Sequence, residues 1–559
     1  MKKALTLLLI MVIAFLTSAC NNKNTNTDNN DSNEDVNEKP VLKYEVDGGE
    51  VVINDSNLIN SSNIDDNYRV FYEIFTGSFS DSNADGIGDL QGIINKLDYL
   101  NDGNPNSGKS LGIQGIWLTP IFSSPTYHKY DVTDYYTIDS KFGTIDDLKN
   151  LANECHKRNI KLIIDLPINH TGDKHDWFTR FVKAHQENDK TNPFYDFYSY
   201  YNSETEKPAG RNFNIIANTN DHYECNFTSN MPELNYDNET VRQEVLNIAK
   251  YYLALGIDGF RFDAAKYIYY GDEPKSAEFW NWYVSELKKI KPDIYTVGEV
   301  WSGDGITDIY YKQGLNCFNF TVSQTTGRIA AAAKEDGNVT VYTKYIQSYV
   351  EKINTYSSNL MIMPFIANHD TDRAAGYLQP TKGYAQMAAN LYLLSSGSPF
   401  IYYGEEIGMK GTRAGASSDA NRRLAMLWGD DNTIKNPTEA TYKDKNQING
   451  TVASQIGDEN SLLTHYKKVI MIRNANPEIA RGEYKALNSS TSTIGGFTAT
   501  YNNSTVCVIH NTSLEPTTID LASLTNLTFT CINGYTGIND IKIENNKITI
   551  EGQTSVVLK

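Results

Sequence analysis

Cysteine and positive charge are both scarce in this chain. Its 559 residues include six cysteines, whose wide spacings match no zinc-binding pattern. Setting Cys20 aside leaves an odd number, so no disulfide framework can be deduced, and a Cys507–Cys531 pair stays an open possibility. The 50 basic residues face 68 acidic ones, which gives a net charge of −18. This balance argues against nucleic acid and anionic membrane surfaces as partners and suits a neutral substrate.

The N-terminus lacks an apolar run long enough to cross a bilayer. Residues 4–17 are apolar and follow a basic start, but they fall short of the ~20 residues of a transmembrane helix. We therefore expect residues 1–20 to be an export signal. The stretch LTSAC is similar to a lipoprotein signal box and predicts a lipid on Cys20, although Leu16 stands four residues before it, where the usual spacing is three. The alternative is a secretory peptide cut nearby without lipidation.

Apolar residues are almost missing from the segment that follows. Residues 21–40 cannot bury enough hydrophobic surface to offset chain entropy, so they predict a flexible spacer within a linker segment that covers residues 21–65. Together with a lipidated Cys20, this spacer predicts an exported protein at the cell surface or outside the cell. Its contact with the membrane would be the lipid anchor alone.

From residue 68 onward, short apolar β-type runs alternate with amphipathic helical patterns. Eight buried strands with helical crossovers favour a parallel (β/α)₈ barrel. The candidate strands are residues 68–75, 112–122, 159–170, 256–265, 293–301, 314–322, 360–370 and 398–409.

Two segments depart from this alternation. Residues 171–235 are rich in Asn, Tyr and Phe without clear periodicity, and they predict an inserted domain after the third strand. Residues 482–559 contain short β-type runs separated by turn residues, which predicts a C-terminal antiparallel β-sandwich. The barrel would then consist of residues 66–170 and 236–481.

Acidic and basic side chains stand where the predicted barrel strands end, which is the edge at which such barrels carry their chemistry. Asp263, Glu299 and Asp370, from three different strands, would converge there with an arginine and two histidines. Glycoside hydrolysis needs this kind of set, because one carboxylate and one carboxylic acid must flank the scissile bond. The residues at the strand ends are Asp165, Asn169, His170, Arg261, Asp263, Glu299, His369 and Asp370.

The stretch DSNADGIGD directly after the first strand is similar to the oxygen-ligand spacing of an EF-hand loop. Asp81, Asn83, Asp85 and Asp89 alternate, but an EF-hand also needs a glutamate at the twelfth position, where this chain has Gly92. A strand before the loop likewise excludes a helix–loop–helix sensor. The two interpretations left are a structural metal site and a solvated acidic turn without metal.

The ordered motifs DLPINH, MPELN, GFRFDAAKY, GEVW and FIANHD resemble the signature regions of glycoside hydrolase family 13, the α-amylase family. The resemblance extends from about residue 66 to the C-terminus. It implies a catalytic barrel (domain A), an inserted domain B, a β-sandwich domain C, and a retaining double displacement on α-glucosidic bonds.

The resemblance also implies a role for each acid. Asp263 would be the nucleophile, Glu299 the general acid and base, and Asp370 the acid that holds the distorted sugar's hydroxyls. Arg261 would orient Asp263 and keep it ionised, whereas the apolar setting of Glu299 would keep it protonated. The substrate-binding residues implied by the same resemblance are His128, Tyr130, His170, Arg261, Lys266 and His369.

For the acidic loop, the resemblance implies a calcium ion. Its ligands would be the side chains of Asp81, Asn83, Asp85 and Asp89 and the carbonyl of Ile87. A second calcium site near Asn169 stays open, because no partners for it can be identified in residues 171–235.

Substrate preference rests on two positions. Lys266 is similar to the lysine that α-amylases place beyond the scissile bond, and Tyr127 stands where oligo-1,6-glucosidases tend to have aspartate. We expect a monomer that cleaves α-1,4 bonds of starch and maltooligosaccharides internally. The alternatives are a 4-α-glucanotransferase, an α-1,6-active relative, and a non-catalytic glycan-binding protein, against which the intact set of three acids argues.

Overall fold

The computed structural model describes residues 44–47, 50–53, 64, 66–413, 419–442 and 450–559, the first two ranges by their backbone alone. The predicted signal peptide and the predicted lipidation site at Cys20 lie outside the described residues. Tyr44–Asp47 and Glu50–Ile53 pair as an antiparallel hairpin within the segment predicted as linker.

Eight parallel strand positions close into a barrel, which confirms the predicted fold. The paired strands are, in chain order, Phe71–Ile74, Gly115–Leu118, Lys161–Leu166, Gly259–Phe262, Tyr295–Gly298 and Phe400–Tyr402, and the last of them pairs with the first. The sixth and seventh positions are made by single parallel bridges. These bridges join Gly298 to Cys317, Phe318 to Met363, and Phe365 to Phe400.

Helices follow the strands and cover them from outside. Ile145–Lys157 shows why they form: Thr144 and Asp147 make a capping box, and the buried residues recur at three- and four-residue spacing. Gly256, at φ +100°, then ends the next long helix in a conformation that favours glycine. The helices of the barrel are Leu90–Ile94, Leu97–Leu100, Ile145–Lys157, Glu239–Ala254, Glu273–Ile290, Asp304–Lys312, Arg328–Ala333, Val339–Asn354, Tyr384–Leu393, Val452–Gln455, Leu462–Ala475 and Pro477–Arg481.

The inward face of the barrel changes from apolar to charged along the first and third strands. Aromatic rings fill its interior, where Phe71 stacks on Phe400 with centroids 4.9 Å apart. Because strand side chains alternate with a period of two, the residue two positions after an inward one also points inward. Glu73 therefore follows Phe71, and Asp165 follows Ile163. A polar layer thus lies above an apolar one, at the carboxyl ends of the strands.

The inserted segment is a small domain after the third strand. It contains the helix Asp176–Gln186 and a three-stranded antiparallel sheet in which Asp221–Glu224 lies between Tyr200–Asn202 and Phe213–Ile215. These strands have three or four residues each, which is too short for the alternation of apolar and polar residues to be recognised in the sequence. An antiparallel ribbon of Phe122–Ser123 and Asp134–Ile138 follows the second barrel strand.

The C-terminal segment forms two antiparallel sheets around a second apolar core. Residues of both sheets, such as Ile509 and Ile548, contribute to this core, so the segment is the predicted sandwich. The strands, in spatial order, are Glu483–Ala486, Ile494–Tyr501, Ser504–Asn511, Thr554–Leu558 and Ile532–Tyr535 in one sheet, and Thr517–Asp520, Lys547–Ile550 and Ile543–Glu544 in the other.

Cys507 and Cys531 are both free thiols, so the pair that the sequence left open is not formed. In the part of the chain that the structure describes, no helix combines the length and the apolar character needed to cross a membrane.

Candidate active site

Arg261 links three carboxyl groups at the carboxyl ends of three neighbouring strands. Its Nη1 lies 2.8 Å from Asp165 Oδ1 and 2.5 Å from Asp263 Oδ1. Its Nη2 lies 3.2 Å from Glu299 Oε2. The guanidinium is fully buried, and burial of a charge is tolerated only when partners compensate it. Arg261 therefore fixes the mutual positions of the two predicted catalytic residues.

Glu299 is held from the backbone as well. Its Oε2 accepts a hydrogen bond of 3.0 Å from the amide of Ala264, directly after Asp263. Ala264 has φ +47°, a left-handed conformation that costs a non-glycine residue energy and that often occurs at functional sites. Burial, together with the charges of Asp263 and Asp370 and against that of Arg261, raises the pKa of Glu299 to about 7. Glu299 can therefore carry a proton near neutrality.

Asp370 lies between two cationic side chains. Its Oδ2 is 3.0 Å from His369 Nε2, and its Oδ1 accepts a 2.7 Å hydrogen bond from Arg423. Burial alone would favour the neutral acid, but His369 and Arg423 outweigh it and hold the pKa of Asp370 well below its usual range. Asp370 is therefore an ionised acceptor, suited to sugar hydroxyls.

Tyr130 connects the groups of the second, third and seventh strand ends. Its hydroxyl lies 2.9 Å from Asp165 Oδ2 and 2.6 Å from His369 Nε2, and its ring stacks on that of His369 at 5.6 Å. Burial raises the pKa of this hydroxyl well above its usual value, so it stays protonated.

Two further histidines line the cleft in neutral form. Burial and the nearby Arg423 lower the pKa of His128 to about 4, and burial likewise lowers that of His170. His170 Nε2 has no hydrogen-bond partner among the described residues, although it is buried. A buried polar atom without a partner is expensive, and a substrate hydroxyl would satisfy it.

The cleft that joins these residues has a volume of about 750 Å³. Asp263, Glu299, Asp370, His128, Tyr130, His170 and Lys266 line it, whereas Arg261 and His369 lie behind the lining. Lys266 donates a 3.1 Å hydrogen bond to the carbonyl of Trp301, whose indole is 40% exposed and stacks on Phe320. All nine predicted catalytic and substrate-binding residues therefore stand at or directly behind this cleft.

Sequence reasoning missed two contacts of this site. Glu73 was not assigned a role, yet its position in an otherwise apolar buried strand was a signal that it has a charged partner. Arg423 had no such local signal. It stands 21 positions after the end of the eighth strand and reaches Asp370 only through the fold.

The acidic loop is organised by hydrogen bonds of its own. Asp81 carboxylate oxygens accept from the amides of Asn83, Ala84 and Gly86, which together lower its pKa against the effect of burial. Asp89 caps the helix Leu90–Ile94 through a 2.6 Å bond from the amide of Gly92, so a helix follows the loop but a strand precedes it.

Among the described residues, no three His, Cys, Asp or Glu side chains stand together as a metal site. A cation in this loop would therefore need the amide oxygen of Asn83 and the carbonyl of Ile87 in addition to carboxylates. Such a mixed set of hard oxygen donors fits the chemistry of Ca²⁺.

A parallel barrel that gathers a protonatable and an ionised carboxyl group in a cleft at the carboxyl ends of its strands defines a glycoside-cleaving enzyme. Residues 73–482 match the family described as "Alpha amylase, catalytic domain", and the chain belongs to this family of glycoside hydrolases.

Individual relatives agree with this assignment. The chain is 35% identical to "Alpha-amylase 3" of Dictyoglomus thermophilum, over 88% of this chain and 93% of that protein. It is 30% identical to an "Oligo-1,6-glucosidase" of Parageobacillus thermoglucosidasius, over 79% and 90%. The solved structure of Eubacterium rectale Amy13B superposes with a TM-score of 0.81 at 35% identity, over 89% of this chain and 96% of that one.

Proposed function

We propose that the protein is an endo-acting, retaining hydrolase of α-1,4-glucosidic bonds in starch and maltooligosaccharides. The observation that carries the proposal is the cleft of about 750 Å³ around Asp263 and Glu299, because that volume accommodates more than one sugar ring. Tyr127 also supports it: a phenol that accepts a 3.2 Å hydrogen bond from Arg423 stands where α-1,6-specific relatives tend to carry aspartate. The relative named an α-amylase is similar over nearly its whole length.

The reaction would proceed in two displacements. Asp263 attacks the anomeric carbon while Glu299 gives its proton to the leaving glycosidic oxygen, which leaves a glycosyl ester on Asp263. Glu299, now a carboxylate, takes a proton from water, and the hydroxide equivalent cleaves the ester and restores Asp263. Arg261 holds both carboxyls in place, and Asp370 accepts hydroxyls of the distorted sugar.

Product analysis tests this proposal against its alternatives. The purified protein is incubated in parallel with amylose, pullulan, isomaltose and maltotriose, and products are separated by chromatography. We expect amylose to be shortened internally and isomaltose to remain intact. Rapid release of glucose from isomaltose would favour the α-1,6 alternative, which the similarity to an oligo-1,6-glucosidase keeps open. Longer products from maltotriose would favour a 4-α-glucanotransferase.

We further propose that Ca²⁺ binds the loop 81–89. Asp81, Asn83, Asp85 and Asp89 would hold it by their side chains and Ile87 by its carbonyl, since these oxygens alternate around a turn at Gly86, which has φ +96°. The ion would stabilise the loop after the first strand and take no part in bond cleavage.

We propose finally that the protein is exported as a monomer and tethered through a lipid on Cys20. The basic start, the apolar residues 4–17 and the box-like LTSAC support this. A polar spacer after Cys20 would let the enzyme reach a polymeric substrate outside the cell.

A further inference from the structure

Glu73 is a charged residue in the interior of the barrel. It lies in the first strand, is 1% exposed, and follows Phe71 on the inward face. Its Oε1 lies 2.5 Å from His369 Nδ1 and 3.3 Å from the backbone amide of His369. Because a buried carboxylate is costly unless a partner compensates it, the ring of His369 is the group that makes Glu73 tolerable here.

Both ring nitrogens of His369 face oxygen atoms. Nδ1 faces Glu73, and on the opposite side Nε2 lies 3.0 Å from Asp370 Oδ2 and 2.6 Å from the Tyr130 hydroxyl. A neutral imidazole has one N–H, whereas two carboxylates on opposite sides call for two donors, which only the imidazolium has. Burial opposes this charge, but Asp370 and Glu73 outweigh it and raise the pKa of His369 to about 10.

The other charged groups near His369 do not cancel the effect of Asp370 and Glu73 on its pKa. The titratable and charged groups that surround His369 on neighbouring elements are Glu73, Tyr130, Asp165, Arg261, Asp370 and Arg423. Arg423 reaches His369 at its backbone carbonyl, 3.0 Å away, rather than at the ring, and Arg261 is shared among three other carboxyls. The ring nitrogens therefore face two carboxyl groups and the Tyr130 hydroxyl, and that hydroxyl donates its own proton to Asp165 rather than to the ring.

We propose that Glu73 is a positioning residue for glycosidic bond cleavage, which holds His369 as an imidazolium whose Nε2–H points to Asp370 and the adjoining sugar hydroxyl. Without the Glu73 charge, His369 could become a neutral imidazole with a single N–H. That N–H could then be the one on Nδ1, which faces away from Asp370. The kinetic part of this inference rests on the proposed function, whereas the protonation state of His369 is measurable without substrate.

The substitution Glu73→Gln removes the charge and keeps an oxygen that accepts from Nδ1–H. ¹⁵N NMR of histidine-labelled protein follows the His369 signal, which is assigned by its absence in His369→Gln. We expect wild-type His369 to stay protonated from about pH 6 to 8.5 and to titrate within that interval in Glu73→Gln. The matched control is Glu406→Gln, another buried carboxyl, which binds the hydroxyls of Tyr72 and Tyr99 outside the cleft. It should leave the His369 signal unchanged.

Kinetics on α-maltosyl fluoride isolate the same effect, because fluoride departs without the proton of Glu299. Wild type and Glu406→Gln should keep kcat/KM level from about pH 6 to 8.5, whereas Glu73→Gln should lose about tenfold or more across that interval. Glu73→Asp keeps the charge and should restore most of the plateau.

A neutral His369 in the wild type at pH 7, or an unchanged His369 titration in Glu73→Gln, would overturn the proposal. If Glu73→Gln does not fold, the wild-type NMR titration alone decides. If the wild type does not cleave the fluoride at all, the proposed function fails, and the NMR result still decides the role of Glu73.

Discussion

Arg261 explains how two carboxyl groups in one cleft take opposite roles. Its Nη1 lies 2.5 Å from Asp263, and its Nη2 lies 3.2 Å from Glu299, so one guanidinium holds both carboxyl groups in place. Glu299 also has its amide contact and a buried setting, and its pKa of about 7 allows it to be protonated. A buried acid whose pKa is raised towards neutrality is typical of the proton donor of a glycosidase.

Replacing the proposed nucleophile should abolish turnover and preserve binding. In Asp263→Asn the covalent step is lost, and we expect kcat to fall on the order of 10⁴-fold or more, because loss of a nucleophile has this effect. Hydrolysis of maltotetraose and equilibrium binding of the same sugar are measured side by side. Asp336→Asn, an exposed carboxyl, is the matched control. Turnover above about a tenth of the wild-type value, which corresponds to a barrier increase below ~1.4 kcal/mol, would rule out the assignment.

The pH profile should report the proton on Glu299. Burial raises its pKa to about 7, so the acid is protonated below that pH and loses its proton above it. We therefore expect kcat/KM for maltotetraose to fall about tenfold per pH unit above about pH 7, since the leaving sugar needs a proton. With α-maltosyl fluoride the same enzyme should show no fall near pH 7. A basic limb shared by both substrates would assign the proton to another group.

Lys266 should matter for long substrates and not for short ones. Its ammonium lies beside the carbonyl of Trp301, two residues past Glu299, and the resemblance to α-amylases predicts that it contacts sugar units beyond the scissile bond. Lys266→Val removes a charged hydrogen-bond donor, which is worth about 1.5–3 kcal/mol to the sugar units that it contacts. KM for amylose should rise while values for maltotriose stay close to the wild type. Equal losses on both substrates would remove Lys266 from the binding map.

The loop between the first strand and its helix combines two structural functions. Asp89 caps the helix Leu90–Ile94, and its other oxygen accepts from the amide and hydroxyl of Ser82, so the loop holds its form through its own hydrogen bonds. These hydrogen bonds agree equally well with the turn interpretation and with the calcium proposal. They differ in whether the oxygens also carry a cation.

Calcium should raise the melting temperature without changing the reaction rate. An ion that binds only the folded state adds roughly 2.7 kcal/mol at a hundredfold excess over Kd. Asp81→Ala with Asp85→Ala should abolish most of the difference in Tm between calcium and chelator, since two anionic ligands are lost. Glu335→Ala with Asp336→Ala removes the same charge elsewhere on the surface and should keep the full response. An unchanged response in the loop variant would leave the loop as a plain turn.

The barrel and the inserted segment both line the cleft, and the proposed anchor at Cys20 precedes every lining residue by more than 100 positions in the sequence. If Cys20 carries the lipid, Cys20→Ala should move most of the activity from the membrane fraction to the medium or the soluble fraction, because the anchor supplies the hydrophobic binding. Labelling with a radioactive fatty acid should mark the wild type and not the variant. Cys531→Ala, a thiol in the C-terminal sandwich, is the control. Equal labelling of wild type and Cys20→Ala would assign the lipid elsewhere or to no site.

The amino-acid sequence alone predicts which chemical groups meet in the cleft. Asp263, Glu299 and Asp370 each end an apolar run, and parallel strands bring such ends to one edge, so their convergence follows from the hydrophobic pattern. The sixth and seventh strands are also recognisable as apolar runs, although the structure reduces them to single bridges. The inserted domain is predictable only in its existence, because its strands have only three or four residues.

Local sequence thus determined the barrel, the sandwich and the residues at the strand ends, because burial and alternation act over a few neighbouring positions. Tertiary structure alone decided which charges those residues meet. Glu73 and His369 are 296 residues apart, and Arg423 and Asp370 are 53 apart, yet each pair is in hydrogen-bond contact. Closure of the barrel brings them together, and since electrostatic interactions depend on distance and burial, the ionisation of Glu299, His369 and Asp370 is a property of the folded molecule.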